Sequence, residues 1–378
     1  MDYKIPLFDL NFDETEEQAV IETMRSRWIS TGPKCEEFET KFATALNIKY
    51  GITVTNCTAA LHLALLASGI NKNDEVLVPS LTFVATVNSI LYAGAKPVFV
   101  DSTSHSNPNI SPLDLASKIS KRTKAIIVMH YAGFPCEMET ILAIAKKNNL
   151  IIIEDACHGP LSEYNGRKLG TLGDLGCFSF FSNKNISTGE GGMIVTNSDK
   201  YNNIIKIIRS HGMTSLSYQR AKGHVSDYDV IQLGYNYRMD DIRAAIGIVQ
   251  LKKLPGEIKK RAAIREKYLH LLEDVDEVYI PFKKWVDLSS NYIFPIVLSE
   301  RIVNKRDMVR EYLHSCGIQT SIHYPAVHNF LIYKNYDIAL TNAEYYANAE
   351  ITLPMYGSLK EEDLNYIINS LKKAILYA

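Results

Sequence analysis

No C-x-x-C pair occurs among the six cysteines, Cys35, Cys57, Cys136, Cys157, Cys177 and Cys316. Six thiols scattered through 378 residues do not make a disulfide framework, so a reducing compartment is expected. Net charge is also lacking: 41 basic against 42 acidic side chains leave −1. That balance removes the electrostatic reason to expect nucleic acid or an anionic membrane as the main partner. No apolar run approaches the roughly 20 residues of a membrane span. The stretch from Met1 to Pro6 lacks the basic-then-apolar pattern of a secretory signal. These absences together give the expectation of a soluble cytoplasmic protein. No internal repeat, low-complexity tract or long block of like charge stands out.

What remains is ordinary globular composition, 46% hydrophobic and 22% charged. The length fits two domains, or one large α/β domain with an appendage. A helix-like mixture at 14–25 is broken by Gly32-Pro33. Ala59 to Ser68 is apolar at helical spacing, with Thr55, Asn56 and Thr58 as candidate caps. Four β-like runs follow, at Glu75 to Val78, Pro97 to Val100, Ala125 to Met129 and Leu150 to Ile153. Their Val and Ile content, with helix-like stretches between, predicts parallel strands covered on both faces. Cys177 to Phe181 and Met193 to Thr196 read as further strands around a polar segment, Ser182 to Gly192. A helix from Asp240 is expected to end near Leu254, where Pro255-Gly256 follows. A charged helix near Lys259 to Leu272, a strand at Tyr292 to Leu298, and helices at Asn304 to Ser315 and from Glu361 complete a smaller α/β region. The expected domains are 1–254 and 255–378.

Several residues could carry chemistry. Asp155 follows Ile151-Ile152-Ile153-Glu154 where a parallel strand ends, the place where ligands gather in open sheets. There it either holds a pyridine nitrogen protonated or simply caps a helix. Lys184 follows the strand of Phe178 to Phe181 in a Ser/Asn/Gly-rich turn. It is either a solvated loop lysine or a Schiff-base amine, and the second use needs a lowered pKa. Gly191-Gly192 behind it suggests backbone packed closely against something. Asn56-Cys57-Thr58-Ala59 opens a helix whose free N–H groups suit a phosphate. Phe83 either stacks on a flat ring or packs in the core.

In this order the pieces resemble fold-type-I pyridoxal-phosphate (PLP) enzymes, and more narrowly the DegT/StrS nucleotide-sugar aminotransferase family. The likeness runs from near Ile29 to Tyr356. It is carried by Glu154-Asp155-Ala156-Cys157-His158 through Gly170, by Phe178-Ser179-Phe180 and Lys184, and by Gly189-Glu190-Gly191-Gly192. Gly234 to Met239 and His323-Tyr324-Pro325 add to it. The resemblance implies an α/β fold, with a large domain whose mostly parallel central sheet is flanked by helices, and a smaller C-terminal α/β domain. It also implies pyridoxal 5′-phosphate as cofactor, no metal, and glutamate and a nucleotide-linked keto sugar as substrates.

Residue by residue, the family pattern makes Lys184 the Schiff-base and proton-shuttling residue, with Asp155 on the pyridine nitrogen. Phe83 would stack on the ring, and His158 would lie near its other side or the phenolate oxygen. The backbone of Thr58 and Ala59 with the Ser179 hydroxyl would bind phosphate. Asn236 would reach the phosphate of a neighbouring subunit, which implies a homodimer. Cys57 stands where many relatives carry Gly or Ser, a change that spares backbone donors. Lys rather than His at 184, and no cysteine cluster for an iron–sulfur centre, disfavour the dehydratase branches. Alternatives are a keto-cyclitol aminotransferase or a non-catalytic regulatory member of the fold. His323 and Tyr324 line a sugar entrance or pack a domain junction. Arg238 meets a donor carboxylate or a structural partner. Ser187-Thr188 and the loop from Leu216 to Asp229 are candidate sugar contacts. Within that loop, Gln219-Arg220-Ala221-Lys222 touches a diphosphate or is a solvated basic stretch.

Overall fold

The aliphatic runs become the strands of one seven-stranded sheet in the computed structural model, which describes residues 3–214, 228–336 and 338–377. The strands are β1 (Tyr50–Val54), β2 (Glu75–Pro79), β3 (Lys96–Val100), β4 (Thr123–Met129), β5 (Ile151–Asp155), β6 (Leu175–Ser179) and β7 (Gly192–Thr196). Their order is β1-β7-β6-β5-β4-β2-β3. β7 runs antiparallel to both its neighbours, and the other pairings are parallel. The mostly parallel sheet expected from composition is therefore present.

Alternation along each strand explains why both faces must be covered. Val76 and Val78 pack with Ala60 and Leu63 of the helix Cys57–Ala67, while Leu77 packs with Met138, Ile141 and Ala145 of the helix Met138–Asn148. Ile152 and Ile153 divide in the same way. A strand buried on both sides reads as a continuous apolar run. β1 escaped the sequence reading, as did the helix Pro33–Leu46 before it. Pro33 does not break the chain there. It occupies the first turn, where its missing N–H costs nothing, and Asn47 ends the helix in the left-handed region.

A second core holds Tyr268, Phe294, Ile296, Leu313, Leu364 and Leu371. Its antiparallel sheet comprises β8 (Val278–Tyr279), β9 (Phe294–Leu298) and β10 (Glu350–Leu353), packed by the helices Arg306–Ser315 and Glu361–Tyr377. The N-terminal segment docks here through Ile5 N–H on the Gly317 carbonyl at 3.0 Å.

One expectation is corrected. The helix does not stop at Leu254 but runs Asp241–Leu271 with Pro255 inside it. Leu251, Leu254, Ile258, Arg261 and Ile264 are all buried, so one face keeps its packing across the proline. Pro255 itself is exposed, and the Leu251 carbonyl that loses its usual N–H partner lies one turn back. Burial of that face outweighs one missing ladder bond. Among the described residues no helix is long and apolar enough to cross a membrane.

Candidate active site

The carboxyl ends of β2, β5 and β6 and the start of the helix after β1 converge on one cavity of about 580 Å³. Its wall includes Thr58, Phe83, Asp155, Ser179 and Lys184, five of the residues singled out in the sequence. Tyr292, His323 and Tyr324 close it from the second half of the chain.

The helix start is built by Asn56. Its side chain accepts the Ala59 N–H at 2.9 Å and its carbonyl accepts that of Ala60. The backbone N–H groups of Cys57 and Thr58 have no partner among the described residues and stand at the positive end of the helix. Ala59, expected to donate beside Thr58, spends its N–H on this cap and is not on the cavity wall. Gly192 packs directly behind. A Cβ there would lie 2.6 Å from the Asn56 carbonyl carbon and 2.9 Å from the Cys57 nitrogen. The close approach inferred from the paired glycines is therefore against the helix start itself.

Asp155 ends β5 and is buried. Its Oδ2 accepts from Thr86 Oγ1 at 2.7 Å, and its Oδ1 accepts from the Cys157 N–H at 3.3 Å. Thr82 Oγ1 lies 2.9 Å from Thr86 Oγ1. Because Thr86 gives its proton to the carboxylate, Thr82 donates to Thr86. The Lys184 amine sits 3.9 Å from Cys157 Sγ and 4.2 Å from the centre of the Tyr292 ring. Burial disfavours its ammonium form, yet Cys157, Tyr292 and Asp155 outweigh burial and carry its pKa above the ordinary lysine value. That direction is opposite to the lowering required on chemical grounds. Burial, and then Asp155, push the Cys157 thiol itself well above its usual range.

The family's sequence profile matches residues 11–372. The chain belongs to the DegT/DnrJ/EryC1/StrS aminotransferase family. It is 38% identical over 370 residues to GDP-perosamine synthase of Escherichia coli O157:H7, covering 98% of each chain. It is 34% identical over 380 residues to the spore coat polysaccharide biosynthesis protein SpsC of Bacillus subtilis, covering 99% of this chain and 96% of that one. In structure it is similar to PseC, the Helicobacter pylori aminotransferase of pseudoaminic acid biosynthesis, with a TM-score of 0.92, 30% identity and full coverage of both chains. This aminotransferase is a PLP-dependent sugar transaminase.

The residues fit that cofactor. A buried carboxylate, a lysine amine, the half-exposed Phe83 ring and two unspent backbone donors share one cavity. The Ser179 hydroxyl lies on the same wall, accepting from Phe181 N–H at 3.4 Å.

Other expected residues of the aminotransferase lie elsewhere. His158 stands behind the wall. Its Nδ1 accepts the Ala132 N–H at 3.2 Å and its Nε2 lies 2.9 Å from Tyr324 Oη. That arrangement assigns the proton to Nε2. Burial, and then the charge of Lys184, hold His158 well below its ordinary pKa, so the ring is neutral. It stacks on Tyr292 with centroids 4.3 Å apart, and so positions two wall residues from behind. Asn236 is exposed and absent from the wall of its own chain's cavity. Arg238 donates to Ser210 Oγ at 3.1 Å and is likewise not on the wall. Of the sugar-loop candidates from Leu216 to Asp229, residues 216–227, including Gln219 to Lys222, lie outside the described residues.

Tyr292, Thr86 and Cys157 were missed as site residues. Thr82 and Thr86, hydroxyls one helical turn apart after a strand, offered a signal for the pair. Tyr292 offered none, since an aromatic residue at a strand entrance is ordinary core material.

Proposed function

We propose that this aminotransferase moves an amino group from glutamate to a nucleotide-linked keto-deoxy sugar, serving surface-polysaccharide or other glycoconjugate synthesis in the cytoplasm. The observation that carries it is one cavity holding both the Lys184 amine and the buried Asp155 carboxylate. The nucleotide-linked substrate is supported by the likeness to GDP-perosamine synthase. We further propose a homodimer in which the exposed Asn236 contributes to a neighbouring site, and domains divided near residue 254.

PLP supplies an aldehyde that takes up an amine and a ring that accepts an electron pair. Lys184 would bind it covalently and, once released, carry a proton off one substrate carbon and onto another position. Asp155, fixed by Thr86 and the Cys157 N–H, would keep the ring nitrogen protonated. The N–H groups of Cys57 and Thr58 and the Ser179 hydroxyl would receive the phosphate, and Phe83 would cover the ring. Tyr324, held by His158, would present its hydroxyl to the entering sugar.

Purified protein should carry a cofactor absorbance band, and borohydride should fix that group on Lys184. A panel of nucleotide-linked keto sugars, offered with glutamate, should then yield one amino sugar and 2-oxoglutarate in equal amounts. No band and no labelled Lys184 would sink the reading. A cofactor that stays in its aldehyde form with glutamate present would favour a regulatory member of the fold.

A further inference from the structure

His323 contributes to the cavity wall, and one edge of its ring is tied to two buried residues of β10. Nδ1 lies 2.8 Å from Thr352 Oγ1. Thr352 Oγ1 is in turn hydrogen-bonded to Glu350 Oε1, and Glu350 Oε2 accepts the His323 backbone N–H at 2.8 Å. Glu350 and Thr352 are fully buried. Nothing in the amino-transfer chemistry described above uses this carboxyl group.

A threonine hydroxyl has one proton to give, so the direction of the chain is decided at its far end. An ionised Glu350 can only accept. Thr352 then donates to it, and Oγ1 accepts from a proton on His323 Nδ1. A protonated Glu350 donates to Thr352, Thr352 donates to Nδ1, and the ring proton resides on Nε2. We propose that Glu350, acting through Thr352, sets which nitrogen of His323 carries the ring proton. The sugar then meets an Nε2–H donor when Glu350 is protonated and a bare acceptor nitrogen when it is ionised. The inference rests on the proposed function only in naming a sugar as what the ring meets.

Other groups around the pair set the conditions. Arg306 and Arg310 of the helix Arg306–Ser315 favour the carboxylate, and the hydroxyls of Tyr131, Tyr324 and Tyr346 also feel its charge. Burial outweighs its hydrogen bonds and these arginines, and the Glu350 pKa is raised to about 8. His323 is held down to about 3, by burial and then by Lys184, with Tyr292 and Tyr324 edge-on to its ring. The imidazole is therefore neutral across the working range. What changes is the tautomer, with one proton taken from water at Glu350 and one ring proton relocated from Nδ1 to Nε2. Glu350 and Thr352 are positioning residues.

The test is nitrogen NMR of the holoenzyme labelled with ¹⁵N-histidine, with His323 assigned by its loss in His323→Gln and followed from about pH 6 to about pH 10. The expected result is an Nε2–H ring at the acid end and an Nδ1–H ring at the alkaline end, with a midpoint near the Glu350 value of about 8. Glu350→Gln, whose amide donates to Thr352 while its oxygen keeps the backbone bond, should hold the Nε2–H form throughout. Thr352→Val should uncouple the ring from pH and Thr352→Ser should restore the change. These two carry the test if Glu350→Gln does not fold. In kinetics, KM for the accepting sugar should shift through the same pH in the wild type, with the glutamate half-reaction unmoved. A wild-type ring that keeps one tautomer, or a Glu350→Gln ring that still switches, overturns the proposal. Failure of the functional reading would appear separately, as no transfer to any nucleotide-linked keto sugar, and would leave the NMR result standing.

Discussion

Thr86 donates its hydroxyl proton to Asp155 Oδ2 across 2.7 Å, inside a buried pocket of hydroxyls that includes Thr82. A carboxylate that must stay ionised beside a pyridine nitrogen gains from such a donor, since hydrogen bonds to charged groups are worth about 1.5–3 kcal/mol. Thr86→Val keeps the shape and removes the donor. Cofactor affinity should fall by about tenfold or more, for a loss of at least about 1.4 kcal/mol. Fluorescence titration of apoenzyme with pyridoxal phosphate would measure it. Unchanged affinity would show that Thr86 merely packs.

Lys184→Ala should leave the fold intact, because the side chain is partly buried beside a cavity and its amine meets only Cys157 and the Tyr292 ring there. Amino transfer should drop by roughly 10²–10⁴, the range a positioned proton carrier supplies, or further where the covalent link is also needed. Stopped-flow absorbance of each half-reaction would show the loss in both.

Stability should pass through a maximum near neutral pH. Glu350 has a raised folded pKa, so its contribution is fully present below its ordinary 4.5 and is lost as pH rises through about 8. His158 and His323 have lowered pKa values, so their contributions are present above 6.5 and are lost as pH falls. Calorimetry of Glu350→Gln should show a shallower fall of Tm between neutral pH and about pH 8, each pH unit being worth at most about 1.4 kcal/mol. A wild-type Tm that climbs steadily to pH 9 would contradict this assignment.

Pro255→Ala should restore a ladder bond in the helix Asp241–Leu271. The substitution falls on an exposed position, so no packing is lost. Part of the roughly 3 kcal/mol that proline costs in a helix interior should return as a higher Tm. The same denaturation midpoint as wild type would mean that the surrounding helix already absorbs the proline without cost.

These predictions divide along the line between what was readable in the sequence and what was not. Lys184, Asp155, Phe83 and Ser179 were readable because each lies at or just after the end of a recognisable strand, and Thr58 because it opens a capped apolar helix; all five line the cavity. Ala59 and His158 lie off the cavity wall, because a backbone N–H spent on a cap and a ring turned behind the wall depend on local hydrogen bonds that the sequence does not display. Tyr292 and His323, the residue that Glu350 and Thr352 hold, come from the last third of the chain and reach the cavity by folding alone. The strand at Leu150 to Ile153 was visible, but its extension to Asp155 depended on pairing with Met129 and Cys177. Pro255 misled in the other direction. A local breaker signal gave way to a buried face that continued past it.

That proline has a mechanical meaning as well. The helix Asp241–Leu271 is a spar about 46 Å long at 1.5 Å per residue. Leu254 and Ile258 anchor it to the core beneath the sheet, and Ile264 and Tyr268 anchor it to the second core. Tyr292, His323 and Tyr324, which follow this helix in the chain, close the cavity. Any widening or narrowing of the cleft loads this spar in bending, and its weakest cross-section is the turn where Pro255 offers no N–H.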